Sequence, residues 1–431
     1  MISVGTAIVD VTPPVGLPMA GFAARTQSAA IVHDSLTARA LVVNNMALVT
    51  VDVIGIDAEL SRRVRSRCML PEDAVMILAT HTHGGPVSMS GRLWAKSDSV
   101  YLNRLEQGIV EAIDRASQAM QPARVLGGIS IEPGHAVNRR KQNGPVDREI
   151  PVLRFVDAQE NTLAILASHA CHPVVLGADN LQWTSDYLHF TREALESAFP
   201  GAVAIVATGC AGDVNTGHTA ASSLSIQTKA SRSYAQARLI GSDVARSVVD
   251  AQLNLLAGGL GFAEVYERIG FEVREQESPD TLAERWRTLA AGGDPVASVW
   301  IDWAESYMGK NLQPLSVRCT AFNWCGAQII GLPGEIFAQT ALEIRQLCQS
   351  TAPLFIVSYA DDNPGYIPHR DAFSEGGYEV DEAHRFYGMG ATFAPGSAER
   401  LANAGCEAAR MAACMAKDKL STSGKATQGS M

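Results

Sequence analysis

The sequence predicts an α/β fold in which helices flank a mixed β-sheet and a functional site lies at the carboxyl ends of the strands. Segments with strand and helix character alternate through the first half of the chain. Three apolar strands each lead into a loop rich in His, Gly or Asp, and open α/β sheets bind ligands beyond the carboxyl ends of their strands. Hydrophobic residues make up 47% of the 431 residues, which is enough for a large buried core.

The predicted strands are short apolar runs that stop at turn residues or polar loops. In chain order they are 7–11, 36–43, 46–56, 74–79, 151–156, 163–168, 202–207, 327–332 and 354–358. The predicted helices carry apolar residues at helical spacing. They are 58–68, 100–120, 187–199, 234–256 and most of 278–311.

The element order predicts one continuous domain over residues 1–415, followed by a polar tail at 416–431. A helical insertion at about 278–312 holds three of the 6 Trp residues, Trp286, Trp300 and Trp303. These Trp residues are expected to pack in a core, or to form an apolar wall for a substrate group. The polar segment 219–233 is expected to be a surface loop or a lid.

The composition disfavours two classes of partner and predicts the redox state of the cysteines. Lys and Arg number 35 against 45 Asp and Glu, so the net charge is -10, which disfavours nucleic acids and anionic membranes as partners. We expect no transmembrane segment and see no secretory signal, which predicts a cytoplasmic protein, or a secreted one whose signal was removed. The 8 Cys residues form no CxxC pair, so eight reduced thiols are expected.

The strongest local motif is His81-Thr82-His83, directly after the strand at 74–79. Residues i and i+2 of an extended chain point the same way, so both imidazoles are expected to face one site. Imidazole is a common zinc ligand, although a polar loop with two hydrogen-bonded histidines has the same pattern. His169 and His172 follow a second apolar strand. Glu335 follows a third, where a helix N-terminus would also favour a carboxylate.

The order of these and other short motifs resembles a known enzyme family. The motifs are VDVTPPVGLPMAGFAAR, THTHGGP, HACHPVVLG, GCAGDVNTG, LPGE and NPGYIPHRDAF. Their order is similar to that in the catalytic domain of the neutral/alkaline ceramidases, which are zinc-dependent hydrolases of N-acyl amides. The resemblance runs from about residue 3 to about residue 415. It implies a zinc site and an amide hydrolase activity.

The resemblance also implies roles for individual residues. The implied zinc ligands are His81, His172, Glu335 and Tyr366, while His83 and Arg139 match positions that contact the substrate carbonyl region. Asp186 matches a motif residue to which we assign no role.

The chain departs from the family pattern at three points. Asn215 stands where the family motif has a serine, so its amide is expected to orient a substrate hydroxyl or carbonyl instead. The family's C-terminal immunoglobulin-like domain and its secretory signal are not seen in this sequence. These departures predict a substrate other than ceramide.

The implied chemistry is hydrolysis by a metal-activated water. Zinc lowers the pKa of a bound water to about 7, and the resulting hydroxide attacks a carbonyl. His83 and Arg139 would donate to the oxyanion, and Tyr366 would act as both ligand and proton shuttle.

The predicted function is therefore that of a zinc hydrolase cleaving the C–N amide bond of a small or amphipathic substrate. Three alternatives stay open: an esterase or lactonase, a metal-dependent lyase or isomerase, and a non-catalytic binding protein. Fe, Mn or Ni also fit the ligand types, and a homo-oligomer is possible.

Overall fold

The computed structural model describes residues 2–93, 96–224, 231–294 and 296–426. In chain order its strands are β1 Ile2–Asp10, β2 Ile31–Val32, β3 Thr37–Val43, β4 Met46–Val51, β5 Val75–Ala79, β6 Gln121–Ile131, β7 Val137–Asn138, β8 Glu149–Val156, β9 Thr162–His169, β10 Gln182–Trp183, β11 Val203–Thr208, β12 Val214–Asn215, β13 Asn254–Leu255, β14 Leu260–Ile269, β15 Phe271–Glu272, β16 Leu315–Trp324, β17 Ala327–Gly331, β18 Glu335–Ile336, β19 Leu354–Val357, β20 Tyr366–Ile367 and β21 Thr392–Phe393. Its α-helices are α1 Ala58–Arg65, α2 Ser99–Gln118, α3 Tyr187–Ala198, α4 Tyr234–Val249, α5 Pro279–Ala291, α6 Ala297–Ser306, α7 Ala338–Cys348, α8 Ala383–Phe386 and α9 Ser397–Ala426.

Two mixed sheets carry the fold, which confirms the predicted α/β class. The larger sheet has the order β11-β9-β8-β6-β1-β3-β4-β5, with β13 added beside β6. The smaller sheet has the order β14-β16-β17-β19. The pairs β9/β11, β4/β5 and β17/β19 are parallel, and the other neighbours in these two sheets are antiparallel.

The sheets and helices stack in four layers. One apolar cluster joins the facing sides of the two sheets and includes Leu48, Met76, Phe322 and Phe355. Helices α1 and α2 cover the outer side of the larger sheet around β3–β5, and α3 and α4 cover it around β8, β9 and β11. Helices α7 and α9 cover the outer side of the smaller sheet. Strands β3, β4 and β5 are buried on both faces, which explains their continuous apolar sequences.

Three predicted helices differ clearly from the structure. The helix predicted at 58–68 ends at Arg65. The helix predicted at 234–256 ends at Val249, because Asn254 and Leu255 pair with β6 as strand β13. The segment predicted as a helical insertion forms α5 and α6, which meet around the Gly292-Gly293 turn. Trp286 and Trp303 are buried between these helices. Of the predicted loop 219–233, residues 225–230 lie outside the described residues.

Helix α9 runs from Ser397 to Ala426 and so passes through the predicted tail boundary at residue 416. The helix packs closely on β14: a Cβ atom at Gly261 would lie 2.0 Å from the carbonyl oxygen of Ala412. The same packing continues to Ala416, whose carbonyl oxygen would lie 1.9 Å from a Cβ atom at Gly259. Residues 416–426 contain no proline that would end the helix. Residues 427–431 of the predicted tail lie outside the described residues.

Within the described ranges, none of the helices combines the length and apolar character that crossing a bilayer requires.

Candidate metal centre

Loops that follow parallel-paired strands of the two sheets meet at one point. They bring together His81 and His83 after β5, His172 after β9, Glu335 after β17 and Tyr366 after β19. The short parallel pair of β18 and β20 sets Glu335 directly opposite Tyr366. The strand ends therefore place candidate ligands from distant parts of the sequence side by side, as the fold class predicts.

The donor atoms at this point are spaced as ligands of a single ion would be. The Nε2 atoms of His81 and His172 each lie 3.1 Å from Oε2 of Glu335. The Nε2 atom of His83 lies 3.4 Å from that of His81. In a tetrahedral zinc site with bonds of about 2.0–2.1 Å, neighbouring ligand atoms are about 3.3–3.4 Å apart. The buried cluster thus fits a metal ion of this size.

Two of the three histidines, His81 and His172, have a hydrogen-bond partner at Nδ1. Nδ1 of His81 donates to the carbonyl oxygen of Ile54 at 2.6 Å, and Nδ1 of His172 donates to that of Ala211 at 2.5 Å. Metal-binding histidines almost always have such a partner, because it fixes the ring and its tautomer. Nδ1 of His83 is buried and has no hydrogen-bond partner among the described residues. All three histidines lie close enough to hold one ion, but only His81 and His172 have this second-nitrogen partner among the described residues.

The His81–His83 segment does not have the extended conformation that the sequence analysis assumed. His81 adopts a left-handed conformation with φ 63°, because β5 ends at Ala79 and the chain turns immediately. The backbone N–H of His81 donates to the carbonyl oxygen of Val53, and Thr82 Oγ1 donates to that of Thr184. Both imidazoles still face one point, because these two hydrogen bonds hold the turn in place.

Glu335 is an ionised carboxylate in a fully buried position. Burial alone would raise the pKa of Glu335, but the adjacent His81 and His172 outweigh burial and hold that pKa well below its usual value. Burial in turn lowers the pKa of His172 to about 4. A charged carboxylate beside a neutral imidazole is the protonation state that metal binding requires. The Tyr387 hydroxyl donates to the other Glu335 oxygen, Oε1.

Glu335 does not cap a helix, although that interpretation fits its sequence when it is read alone. It lies in β18, while α7 begins at Ala338. The N–H of Ala338 donates to the Asp213 carboxylate at 2.8 Å. Asp213 therefore serves the helix N-terminus, which leaves the Glu335 carboxylate facing the two histidines.

Arg139 and Tyr366 form a coupled pair at the edge of the cluster. Nη2 of Arg139 donates to the Tyr366 hydroxyl at 2.9 Å, and its Nε donates to Glu379 at 2.8 Å. Burial would lower the pKa of Arg139, but Tyr366 and Glu379 reverse that effect and raise it well above its usual value. Burial also raises the pKa of the Tyr366 phenol, while the Arg139 charge acts in the opposite direction. Arg139 is therefore a fixed positive charge beside the phenol oxygen.

Asn215 lies next to the site, but its side chain is occupied within its own loop. Its Oδ1 accepts from the N–H groups of Gly217 and His218, both at 2.9 Å, and its Nδ2 donates to the His218 carbonyl at 2.6 Å. This is the local turn that Asn commonly forms with the backbone that follows it. The structure thus gives the Asn215 amide a role in shaping the 215–218 loop.

Asp186, whose role the sequence left open, positions the loop that carries His172. Its carboxylate accepts from the N–H groups of Val175 at 3.2 Å and Leu176 at 3.0 Å, and from Tyr187 at the start of α3. It thereby ties residues just after His172 to the start of α3.

Arg25 is a further buried residue that the sequence analysis missed. Its guanidinium donates to the carbonyl oxygen of His83 at 2.8 Å and to those of Gly177 and Ala178 at 3.2 and 3.3 Å. The side chain joins the loop that holds His83 to the loop that follows His172. Neither its spacing nor its neighbours in the sequence indicate this contact.

The space beside the donor atoms is a small cavity of about 20 Å³, which is room for about one water. Its walls are Gly21, Ala23, Ile54, His81, His83, Leu93, Glu335, Tyr366, Tyr378, Phe386 and Tyr387. On the outer side the backbone N–H of Leu93 donates to the carbonyl oxygen of Phe386 at 2.7 Å. A second cavity of about 400 Å³ shares Phe386 and is also lined by Arg92, Lys96 and Trp303.

Comparisons with curated sequences find neutral ceramidases. The chain is 28% identical over 250 residues to a neutral ceramidase of Drosophila melanogaster, a match that covers 49% of this chain and 36% of the relative. It is 27% identical over 190 residues to neutral ceramidase 3 of Arabidopsis thaliana, covering 37% and 26% of the two chains. The matches thus span about a third or less of these relatives' own length.

Comparison with solved structures finds the same fold. The neutral ceramidase from Pseudomonas aeruginosa superposes with a TM-score of 0.75 at 18% sequence identity, covering 95% of this chain and 74% of that chain. This likeness shows a shared fold over nearly the whole chain.

A family model gives the most direct assignment. The model described as neutral/alkaline non-lysosomal ceramidase, N-terminal, matches residues 2–222, about half of the chain. The matched part contains His81, His83, Arg139 and His172. This chain therefore belongs to the neutral/alkaline non-lysosomal ceramidase family.

Proposed function

We propose that this protein is a zinc-dependent hydrolase that cleaves the C–N amide bond of a small or amphipathic substrate with a metal-activated water. The observation that carries the proposal is the buried triad of His81 Nε2, His172 Nε2 and Glu335 Oε2, with both nitrogens 3.1 Å from the oxygen. Two imidazoles and one carboxylate are a known ligand set of catalytic zinc. Membership of the ceramidase family supports amide hydrolysis.

The residues divide into those that hold the ion and those that act on substrate. His81, His172 and Glu335 would hold the metal, and Tyr366, opposite Glu335, would be the fourth ligand. When bound, the ion supplies Lewis-acid chemistry and a water whose pKa is about 7. Arg139 would stabilise negative charge that develops on the substrate carbonyl oxygen, since its guanidinium is a permanent donor at the Tyr366 hydroxyl. Tyr366 would act as a proton shuttle towards the substrate, because the Arg139 charge beside its oxygen favours the phenolate form.

His83 would contact the substrate and not the metal. Burial and the nearby His81 and His172 hold the pKa of His83 well below its usual value, so the ring is neutral at pH 7. We assign its proton to Nε2, because a buried N–H without an acceptor at Nδ1 would be costly. His83 then presents an N–H beside the cavity that it lines, and we propose that it donates to the developing oxyanion together with Arg139.

The two cavities support a substrate with one compact end and one larger end. The inner cavity of about 20 Å³ has room for about one water, so binding of a substrate carbonyl beside that water would require the cavity to widen. The outer cavity of about 400 Å³ begins at Phe386 and would hold the larger end. Because the Asn215 amide is bonded within its own loop, we propose that a ceramide headgroup is recognised less well than a smaller amide.

The proposal is tested with matched amide and ester substrates that share one acyl group, with ceramide in the same panel. Protein stripped with a chelator and protein reloaded with one zinc per chain are compared for release of the free acid. We expect zinc-dependent cleavage of the amides, with ceramide the slower substrate. Cleavage of esters or lactones alone would favour the esterase alternative. Solvent deuterium uptake without cleavage would favour a lyase or isomerase, and zinc binding without either would favour a binding protein.

A substitution at Gly21 separates the role of His83 from that of the metal ligands. Gly21 has φ +99°, and a Cβ atom there would lie 2.4 Å from Nδ1 of His83. Gly21→Ala is therefore expected to displace the His83 ring and reduce kcat/KM by about a hundredfold, the effect of a misplacement near 1 Å. Zinc content, measured by elemental analysis, should stay at one per chain.

Gly16→Ala is the matched control for backbone strain. Gly16 has φ +95°, and a Cβ atom there would meet nothing within 4 Å. Both variants carry the same conformational penalty, so only Gly21→Ala should lose activity. Equal activity of the two variants would remove His83 from the reaction, and loss of zinc in Gly21→Ala would make His83 a ligand.

A further inference from the structure

Cys348 and Cys406 form a sulfur pair that the metal centre does not use. Cys348 is the last residue of α7 and Cys406 lies in α9. Their Sγ atoms are 3.1 Å apart, closer than two unlinked sulfur atoms usually approach. We propose that these two residues form an intramolecular disulfide in an oxidising environment and so cross-link α7 to α9. All eight cysteines carry free thiols in this structure.

Cys348 and Cys406 differ from the other cysteines in their contact and in their exposure. Within the described residues it is the one sulfur–sulfur contact, while Cys171, Cys210 and Cys319 are fully buried single thiols. Cys348 is half-buried, so a small oxidant can reach it, and Cys406 is 7% exposed and lies behind it. An accessible thiol beside a protected one is the arrangement in which the first reacts and the second resolves the product.

The local chemistry supports Cys348 as the attacking sulfur. The hydrogen bond from Cys406 lowers the pKa of the Cys348 thiol, and the Arg410 charge acts in the same direction. The Arg410 guanidinium is held nearby by its bond to the Cys406 carbonyl oxygen at 3.3 Å. With glutathione disulfide as oxidant, the Cys348 thiolate attacks one glutathione sulfur and expels one glutathione thiolate. Cys406 loses its proton, attacks Cys348 Sγ and expels the second glutathione, so two thiols and one disulfide become one protein disulfide and two glutathione thiols.

The cross-link would enclose part of the metal centre. Cys348 and Cys406 are 58 positions apart, and the enclosed chain contains Tyr366 and Tyr387. Joining the two ends restricts the unfolded chain over this long segment, which stabilises the folded state. The helices already touch, so the bond forms with little movement of α7 or α9.

The experiment is oxidation of the full-length zinc-loaded protein with glutathione disulfide, followed by alkylation and tryptic mapping without reductant. Cleavage after Arg and Lys places Cys348 in peptide 346–370 and Cys406 in peptide 401–410, each with a single cysteine. We expect these two peptides to appear linked and 2 Da lighter than their sum. The oxidised protein should unfold roughly 5 °C higher than the reduced protein.

Two variants make the result specific. Cys348→Ser should lose both the linked peptide and the oxidant-dependent rise in Tm. Cys414→Ser, which removes the exposed thiol of the same helix, should keep both. Recovery of peptides 346–370 and 401–410 as separate alkylated or glutathione-modified species would overturn the proposal, as would a link from either peptide to another cysteine.

Discussion

Glu335→Gln is expected to abolish stoichiometric zinc binding and to lower hydrolysis by at least about a thousandfold. The carboxylate oxygen that lies 3.1 Å from both imidazoles is the only negative charge of the triad, and a neutral amide cannot replace it as a ligand. Loss of a residue that merely supports a ligand costs 10–100-fold in metal affinity, so loss of the ligand itself should cost more. Zinc affinity is measured by competition with a chromophoric chelator, and activity on the amide from the substrate panel.

Two further variants are expected to have a smaller effect on zinc affinity, or none. Tyr387→Phe removes only the hydroxyl that donates to Glu335 Oε1, so zinc affinity should fall by about 10–100-fold. Glu343→Gln is the matched control, because Glu343 also pairs with a histidine, His369, at 2.9 Å but lies outside the centre. Full zinc occupancy in Glu335→Gln, or equal losses in Glu335→Gln and Glu343→Gln, would refute the proposed ligand set.

The position of the ligand loops could be predicted because the local pattern shows where each strand ends and the fold class indicates that these strand ends meet. Each loop follows a short apolar strand, and parallel pairing brings the carboxyl ends of such strands to one edge. That reasoning places His81, His172 and Glu335 near one another without any knowledge of their contacts. The family resemblance then supplied Tyr366 and Arg139, and the structure places those two side chains 2.9 Å apart.

Residues whose position depends on tertiary packing escaped prediction. Tyr387 follows a helix of only four residues, and Arg25 lies in an irregular loop, so neither has a periodic pattern that indicates a partner. The left-handed turn at His81 was missed because an extended His-x-His has the same spacing. Asn215 is different, since a local Asx turn is a general tendency of Asn and the following Thr-Gly is compatible with one. Its local bonds were predictable in principle.

A second large effect is expected at the buried ion pair between Asp52 and Arg192, which contacts the segment before α3. Asp52→Asn should lower the free energy of unfolding by about 3–5 kcal/mol, because it leaves the buried Arg192 charge uncompensated. Asp52 is fully buried and accepts from both terminal nitrogens of Arg192, at 2.9 and 3.0 Å, and from the N–H and hydroxyl of Thr37. Arg192 also donates to Ser185, next to Asp186. Urea unfolding at pH 7 measures the effect.

The control and the pH dependence identify charge as the cause. Glu193 pairs with Arg238 at 2.8 Å, and both side chains are about half-exposed, so Glu193→Gln should cost at most about 1 kcal/mol. Burial would raise the pKa of Asp52, but Arg192 outweighs it and the net shift is downward. A lowered pKa means that the stabilisation is complete above pH 3.8 and is lost as the pH falls through the folded-state pKa. The gap between wild type and Asp52→Asn should therefore be constant from pH 5 to 8 and narrow only in acid. A gap that instead closes between pH 6 and 8 would mean that the pair is not the source of the stability.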